Sequence, residues 1–518
     1  MSDLTPANAP NYPRPERLDI LEDIHGRIVP DPYRYLEDPD DPRTVEWRDG
    51  QSHLFAAETN GWDTREQFRA SIEQLMGAGV VSPPYFRGNR QFFMRRDPGQ
   101  QFPVLYTKDD ADAEERVLLD PMELDPDGLT TLDSWQPSKE GHRIAYQISI
   151  GGNEESILYV MDTATGEIVD GPIDRCRYSP IAWLPEGNQF YYVRRLPPED
   201  LPASEINFHR RVYLHTVGTA TTQDALVFGS GMTMTNYYGV EVSRDGHWLQ
   251  VSAAEGTEPR NDLWLADLTT SPTHRPAFQL VQGDVDAQTG IDFGRNGLLY
   301  ISTDLGAPRG RIAVTDSMHL SASQWTDVIG EDPDAVLDGF AILDGPELLR
   351  PLILVIRTRH VVSELSVHDL ETGALVNQVD LPGAGTVAGP IERPEGGPIV
   401  WCVYTDHTTV PEIYSFDART MEFTLFATPP GVVDVPPVHS QQVTYTSADG
   451  TEVRMFIISP TRTAEKPRPT VLYGYGGFGI PLSPGYSASV LAWVAAGGVW
   501  AVANLRGGGE EGEQWHRD

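Results

Sequence analysis

The chain has 518 residues, of which 40% are hydrophobic and 22% charged, and its formal net charge at pH 7 is −36. These fractions are typical of globular rather than disordered proteins, and the length allows about three domains. So much negative charge repels polyphosphate and anionic lipid, which excludes nucleic acid and membrane surfaces as partners. The acidic residues are spread along the chain, a pattern that favours ordinary solubility in a GC-rich genome over adaptation to high salt.

Two cysteines, Cys176 and Cys402, are too few for a disulfide framework or a cysteine-based metal site. They predict a reducing compartment. The N-terminal residues show neither the basic nor the apolar region of a signal peptide, and no apolar run reaches about 18 residues. We therefore expect a cytoplasmic monomer that needs no cofactor or metal.

Residues 1–74 form the first predicted domain because they lack the repeat that follows. Apolar residues recur at helical spacing in TVEWRDGQSHLFAAET and again in REQFRASIEQLMG. The acidic DPDDP cluster (38–42) precedes the first of these segments. It lacks the spacing and the closing glutamate of an EF-hand, so we interpret it as a turn rather than a cation loop.

The middle of the chain repeats with a period of about 50 residues. Short apolar runs such as LYVMD and LWLAD end in a polar residue at each of seven positions, which are Asp109, Asp162, Thr216, Asp267, Asp316, Asp369 and Asp417. Upstream of four of these runs, a glycine turn precedes an alternating apolar strand, as in SRDGHWLQVSAA. Each unit therefore holds several short antiparallel strands.

Strand repeats of this length indicate the blades of a β-propeller, and seven units predict seven blades over residues 75–436. β-Sandwich domains with similar hairpin spacing are the alternative, but a sandwich has no reason to keep one period through seven units. The seven polar positions could also be a metal ladder. Turn residues that accept backbone N–H bonds explain them better.

Residues 437–518 have a different pattern. QVTYTSADGTEVRMFIISP predicts a hairpin that turns at 448–450. PTVLYGYGG predicts a buried strand that runs into a glycine loop, SASVLAWVAAGG an apolar helix, and VWAVANLRGGG a second buried strand with its own glycine loop. Strand, loop, helix and strand in this order predict the start of a parallel sheet covered on both faces.

Three strings of residues together resemble the prolyl oligopeptidase family of serine peptidases. They are DPYRYLEDPDDPRT near the N-terminus, YGYGGF followed by P-x-Y-S, and NLRGGGE-x-GE-x-WH at the end. The family combines a seven-bladed propeller with an α/β-hydrolase domain, which agrees with the repeat count. The resemblance implies that 1–74 pack on the hydrolase domain, of which 437–518 are the N-terminal portion. The last string departs from the family at Glu511, where relatives often carry an aromatic residue.

The resemblance also implies roles for three aromatic residues. Tyr475 matches the oxyanion-hole tyrosine, whose hydroxyl would donate to the oxyanion of the tetrahedral intermediate. Phe478 matches an aromatic of the proline-binding pocket, and Tyr178 an aromatic that faces the cavity. No G-x-S-x-G nucleophile elbow occurs in the 518 residues, so the serine, aspartate and histidine of the triad are expected beyond Asp518.

Other residues could suggest catalysis but have simpler explanations. Ser487 and Ser489 stand in GYSAS, which lacks the final glycine of an elbow, so a helix N-cap is the better interpretation. His516 follows a glycine loop with no acid partner in view, and the family uses a later histidine.

The leading hypothesis is a serine endopeptidase that cleaves short peptides on the C-terminal side of proline, with the propeller controlling access. The chain as given is expected to be inactive because the triad is missing. A peptide-binding propeller protein without catalysis is the first alternative. Another acyl hydrolase of the same fold, such as an esterase or an acyl-peptide hydrolase, is the second, although P-x-Y-S and LRGGG weigh against it.

Overall fold

The structure, a computed structural model, describes residues 11–518. The chain divides into two compact units, the first ending at Glu73 and the second starting at Gln74. In the described part of the first unit, a hairpin is followed by the two predicted helices, with bounds β1 (Leu21–Ile24), β2 (Arg27–Pro30), α1 (Pro42–Thr59) and α2 (Arg65–Leu75). The last two residues of α2 already belong to the second unit.

The DPDDP cluster is a turn that starts α1. Asp40 donates its backbone N–H to the Asp38 carboxylate at 3.0 Å. Asp41 is the N-cap of α1 and accepts both the backbone N–H and the guanidinium of Arg43. These partners hold the pKa of Asp41 at about 2, and the interpretation as a turn is confirmed.

The second unit begins with seven consecutive antiparallel sheets within residues 80–427. The first three contain β3 (Val80–Val81), β4 (Tyr85–Arg87), β5 (Arg90–Arg96), β6 (Val104–Lys108) and β7 (Arg116–Leu119); β8 (Thr130–Pro137), β9 (Arg143–Ile150), β10 (Ile157–Asp162) and β11 (Ile168–Ile173); and β12 (Ile181–Trp183), β13 (Gln189–Arg195), β14 (Arg210–Thr216) and β15 (Ala225–Phe228). A one-turn helix, α3 (Pro121–Leu124), joins the first sheet to the second.

The remaining four sheets repeat the same up-and-down order of strands. They contain β16 (Asn236–Val242), β17 (Trp248–Glu255), β18 (Asp262–Asp267) and β19 (Phe278–Gln282); β20 (Thr289–Phe293), β21 (Leu299–Thr303), β22 (Arg311–Thr315) and β23 (Thr326–Ile329); β24 (Ala335–Leu343), β25 (Leu352–Arg359), β26 (Val362–Asp369) and β27 (Leu375–Val379); and β28 (Thr386–Glu392), β29 (Ile399–Thr405), β30 (Glu412–Asp417) and β31 (Glu422–Ala427).

The sequence repeat corresponds to one position in each sheet. Each of the seven polar residues ends, or directly follows, the next-to-last strand of its sheet. Five of the aspartates accept a backbone N–H from the turn that follows; these are Asp162, Asp267, Asp316, Asp369 and Asp417. The glycines of the four upstream turns all have positive φ; they are Gly141, Gly187, Gly246 and Gly297. The role of these four glycines as turn residues is therefore confirmed, because tight hairpin turns need a residue with positive φ.

The hydrophobic core of this region consists of clusters that each join two neighbouring sheets. Such clusters connect every sheet to the next from the first to the seventh. A further cluster connects the seventh sheet back to the first, where the rings of Phe86 and Trp401 lie 4.6 Å apart. Beside it, Gly79 donates its backbone N–H to the carbonyl of Pro430 at 2.7 Å. The seven sheets therefore form a closed ring.

The C-terminal part of the second unit contains a mixed sheet. Its elements are β32 (His439–Thr446), β33 (Glu452–Ser459), β34 (Thr470–Gly474), α4 (Ala488–Ala495), β35 (Val499–Ala503) and α5 (Glu513–Arg517). The strand order is β32-β33-β35-β34, and β34 and β35 run parallel on either side of α4 in the chain. The predicted hairpin between β32 and β33 is confirmed, with Gly450 at φ +92 in its turn.

The prediction that the strand before the first glycine loop is buried was wrong. β34 is an edge strand, with Leu472 68% and Tyr473 45% exposed. An apolar run predicts a strand but not how many neighbours it has. Among the described residues, no element lies beyond β34 in the sheet.

No helix within residues 11–518 is long and apolar enough to cross a membrane. Cys176 and Cys402 are both unpaired and buried, in different core clusters. Burial raises the pKa of each thiol to about 12, so neither has the character of a reactive thiolate.

Candidate active site

Two glycine-rich loops meet at one edge of the mixed sheet. One follows β34 and contains Tyr475 and Phe478, and the other follows β35 and contains the LRGGG string. Because β34 and β35 run parallel, their C-terminal ends lie at the same edge of the sheet. This topology brings together residues that lie about 30 positions apart in the sequence.

The glycines permit the backbones of these loops to approach more closely than side chains would allow. A Cβ atom on Gly507 would lie 2.2 Å from the carbonyl oxygen of Gly476, and one on Gly509 would lie 2.3 Å from that of Gly479. Gly479 donates its N–H to the carbonyl of Gly507 at 2.9 Å. The LRGGG string is therefore required by packing against the tyrosine loop.

Tyr475 and Phe478 lie side by side on the first loop. Their ring centroids are 6.4 Å apart, and the two residues are 48% and 61% exposed. Phe478 has a φ of +57, the left-handed conformation that side chains rarely adopt. The Tyr475 hydroxyl has no hydrogen-bond partner in the described part of the chain and can therefore donate to a bound group.

Phe478 lines a cavity of about 960 Å³ that lies between the glycine loops and the fourth to seventh sheets of the ring. Polar side chains of the ring line it as well, among them Asp292, Asp338, Arg260 and Arg309. Burial raises the pKa of Asp292 and of Asp338 to about 6. The cavity is therefore polar, with aromatic surface where the first glycine loop meets it.

Tyr178 lies apart from the other two predicted aromatics. It is 53% exposed, its φ is +55, and its hydroxyl donates to the Glu154 carboxylate. The neighbouring rings and charges are Tyr237, at 6.1 Å between centroids, and Arg177. The structure thus brings Tyr475 and Phe478 together, whereas Tyr178 contacts neither of them within residues 11–518.

The serine and histidine that could suggest catalysis have structural roles. Ser487 is the N-cap of α4 and accepts the backbone N–H of Val490, which confirms the prediction. His516 places Nδ1 2.9 Å from the Gly507 carbonyl and 3.1 Å from the Gly479 nitrogen, where the two loops touch. No carboxylate pairs with this imidazole in the described residues, so it is not arranged as part of a triad.

Sequence reasoning did not find two further polar residues of the loops. Glu510 is only 3% exposed, and its Oε1 accepts the backbone N–H of Leu482 at 3.0 Å and the amide of Asn504 at 3.2 Å. Asn504 also donates to the carbonyl of Leu482. In the sequence Glu510 has the character of an ordinary surface glutamate, because its partner Leu482 comes from the other loop.

The residues that the structure describes contain no group of three or more histidines, cysteines and acidic residues placed to hold a metal ion. The groups that the first glycine loop presents are a hydroxyl, backbone N–H groups and aromatic rings. A phenolic O–H beside an aromatic wall can stabilise an oxyanion and contact an apolar ring.

Comparison with known proteins identifies the family. The family described as "Prolyl oligopeptidase, N-terminal beta-propeller domain" matches residues 12–429, which is most of the chain. The chain belongs to the prolyl oligopeptidase family. Among curated relatives, the prolyl endopeptidase of Elizabethkingia meningoseptica is 30% identical over 516 residues, covering 98% of this chain and 70% of the relative.

Solved structures of prolyl oligopeptidase relatives share the fold. One, from a study of two prolyl endopeptidases, has a TM-score of 0.90 and 30% identity and covers 98% of this chain and 73% of its own. Prolyl oligopeptidase B from Galerina marginata, bound to a 35mer substrate, has a TM-score of 0.88 and covers 98% of this chain and 74% of its own. At 23% identity, this second likeness concerns the fold alone.

Proposed function

We propose that this member of the prolyl oligopeptidase family is of the serine endopeptidase type, which cleaves short peptides on the C-terminal side of proline. Tyr475 would donate its hydroxyl to the oxyanion, and Phe478 would contact the proline ring. The observation that carries the proposal is the unpartnered hydroxyl of Tyr475 beside the Phe478 ring, which borders the large cavity. In other enzymes, removing one oxyanion donor lowers kcat about 10²- to 10³-fold.

The proposal includes an assignment of domains. The closed ring of seven sheets supports a seven-bladed β-propeller over residues 75–436. The parallel β34 and β35, with α4 between them in the chain and glycine loops after both strands, support the N-terminal portion of an α/β-hydrolase domain over 437–518.

We also propose that the propeller limits access to the site. The cavity has walls from both the ring of sheets and the glycine loops, so a substrate between them has to be small or extended. Short proline-containing peptides fit this description, whereas a folded protein does not. Tyr178, on the ring, is kept as a candidate contact for residues of the peptide farther from the proline.

The 518 residues contain no serine in a G-x-S-x-G elbow. We therefore propose that the chain by itself binds proline peptides without hydrolysing them. In this proposal, Phe478 contributes to peptide binding. Turnover also needs a nucleophile, a role that Tyr475 cannot fill.

Isothermal titration calorimetry, which measures the affinity of the purified chain for peptides, tests the proposal. Acetyl-Ala-Ala-Pro-amide should bind more tightly than acetyl-Ala-Ala-Ala-amide, and Phe478→Ala should abolish this preference. Phe426→Ala is the matched control, because Phe426 is a similarly exposed phenylalanine on the outer strand β31. Equal affinity for both peptides would contradict the assignment of Phe478, and release of a chromophore from a proline-linked substrate at a serine-peptidase rate would contradict the proposed lack of turnover.

A further inference from the structure

Glu511 lies between two arginines that come from different parts of the second unit. Its Oε2 is 2.9 Å from Nη1 of Arg309, which precedes β22 in the fifth sheet of the ring. Its Oε1 is 3.0 Å from Nε of Arg454, on β33 of the mixed sheet. All three side chains are at most 25% exposed, so solvent screens these pairs less than it screens surface pairs.

The backbone that follows Glu511 is also fixed to the ring of sheets. Glu513 donates its N–H to the carbonyl of Pro308 at 2.8 Å. A Cβ on Gly512 would lie 2.6 Å from that same carbonyl oxygen, so only glycine permits the approach. The segment after the second glycine loop therefore lies directly on the residue that precedes Arg309.

The second glycine loop also contacts the first glycine loop, which contains the candidate oxyanion tyrosine. The carbonyl of Gly507 accepts the N–H of Gly479, one residue after Phe478. The close contacts of Gly507 with Gly476 leave no space for the two loops to shift independently. A displacement of the second loop would therefore be transmitted to Tyr475 and Phe478.

We infer that Glu511 is a positioning residue, which fixes the second glycine loop against the ring of sheets and through it the loop of Tyr475. The catalytic meaning of this inference rests on the proposed function of Tyr475, but the mechanical coupling does not. Removal of the carboxylate would leave the two arginines with no other ion-pair partner among the described residues. Two half-buried, like-charged groups without a counter-ion favour separation of the surfaces that carry them.

Hydrogen–deuterium exchange on the intact 518-residue chain tests the inference without requiring activity. In Glu511→Gln, peptides covering 475–480 and 505–513 should exchange about tenfold faster, as expected for the loss of a charged hydrogen bond. Arg309→Met, which keeps the aliphatic stem beside Gly512, should have the same effect. Arg309→Lys retains the charge and should restore most of the protection.

Two controls separate this coupling from general destabilisation. Glu395→Gln makes the same charge change in an exposed pair with Arg244, 2.6 Å away, and should leave both loops unchanged. Raising the NaCl concentration should accelerate exchange of the loops in the parent chain but not in Glu511→Gln. Unchanged protection of 475–480 in Glu511→Gln, or equal loss with Lys and Met at position 309, would overturn the inference. Either result would leave the peptide-binding test of the proposed function unaffected.

Discussion

Gly479 donates its backbone N–H to the carbonyl oxygen of Gly507 at 2.9 Å, and this bond joins the two glycine loops at the edge of the mixed sheet. The contact is possible because neither residue has a side chain between the two backbones. The placement of Tyr475 therefore depends on glycines that lie about 30 residues later in the chain.

The first prediction concerns Gly507→Ala. A Cβ there would lie 2.2 Å from the carbonyl oxygen of Gly476, and φ is +93. Gly497 is a matched control, because its φ is +96 and a Cβ there meets nothing within 4 Å. Gly497→Ala should lower the free energy of unfolding by about 1 kcal/mol, the cost of the left-handed conformation alone. Gly507→Ala should cost clearly more, as measured by urea denaturation, and equal costs would show that the loops can separate freely.

The second prediction concerns His215, which is fully buried between two aspartates. Nδ1 is 2.7 Å from Asp224 and Nε2 is 2.9 Å from Asp170. Burial alone would lower the pKa of His215, but the two carboxylates outweigh it and raise the pKa to about 9. His215→Gln should therefore destabilise the protein by about 3–5 kcal/mol at pH 7, because it leaves buried carboxylates without their cation.

The pH dependence of this contribution follows from the raised pKa. The stabilisation is complete below the unfolded value of about 6.5 and is lost as the pH rises through about 9. The difference in unfolding free energy between the parent chain and His215→Gln should therefore shrink between pH 7 and pH 10. A difference that stays constant over this range would mean that His215 is neutral in the folded protein.

The repeated sheets could be predicted from the sequence because their signals are local. A polar residue at the end of one strand recurs in each of the seven units, and a glycine turn recurs in four of them; each works through contacts within a few residues. The Tyr475 loop could also be predicted, since Tyr475 and Phe478 are close in the chain as well as in space.

Other features could not be predicted, because their partners are remote in sequence. Glu511 contacts residues 57 and 202 positions away, so its departure from the family pattern had no visible consequence. The exposure of β34 depends on which strands lie beside it, which an apolar run does not reveal.

The third prediction tests the closure of the ring. Phe86 of the first sheet and Trp401 of the seventh are 3% and 4% exposed, with their centroids 4.6 Å apart. Phe86→Ala should lower the free energy of unfolding by about 3–5 kcal/mol, the usual cost of truncating a buried aromatic. It should also increase hydrogen exchange in both sheets, although they lie at opposite ends of the repeat. Loss of protection in the first sheet alone would contradict a closed ring.

The last prediction concerns Asp338, whose side chain lines the large cavity. Its Oδ2 accepts the hydroxyl of Thr358 at 2.6 Å, but burial dominates and raises its pKa to about 6. Because this pKa lies above the ordinary value of 3.8, the folded state favours the protonated acid. The stability associated with this group is therefore present below about pH 4 and is lost as the pH rises through about 6.

Asp338→Asn keeps an oxygen for Thr358 and removes the ionisation. We expect the variant to be more stable than the parent chain at pH 8, with the gain decreasing toward pH 4.5, in urea denaturation at both pH values. Asp334→Asn, at a nearby exposed aspartate, makes the same charge change outside the cavity and should give no such pH-dependent gain. If Asp338→Asn instead lowers stability at pH 8, the ionised carboxylate has a favourable partner in the cavity, and burial does not control its titration.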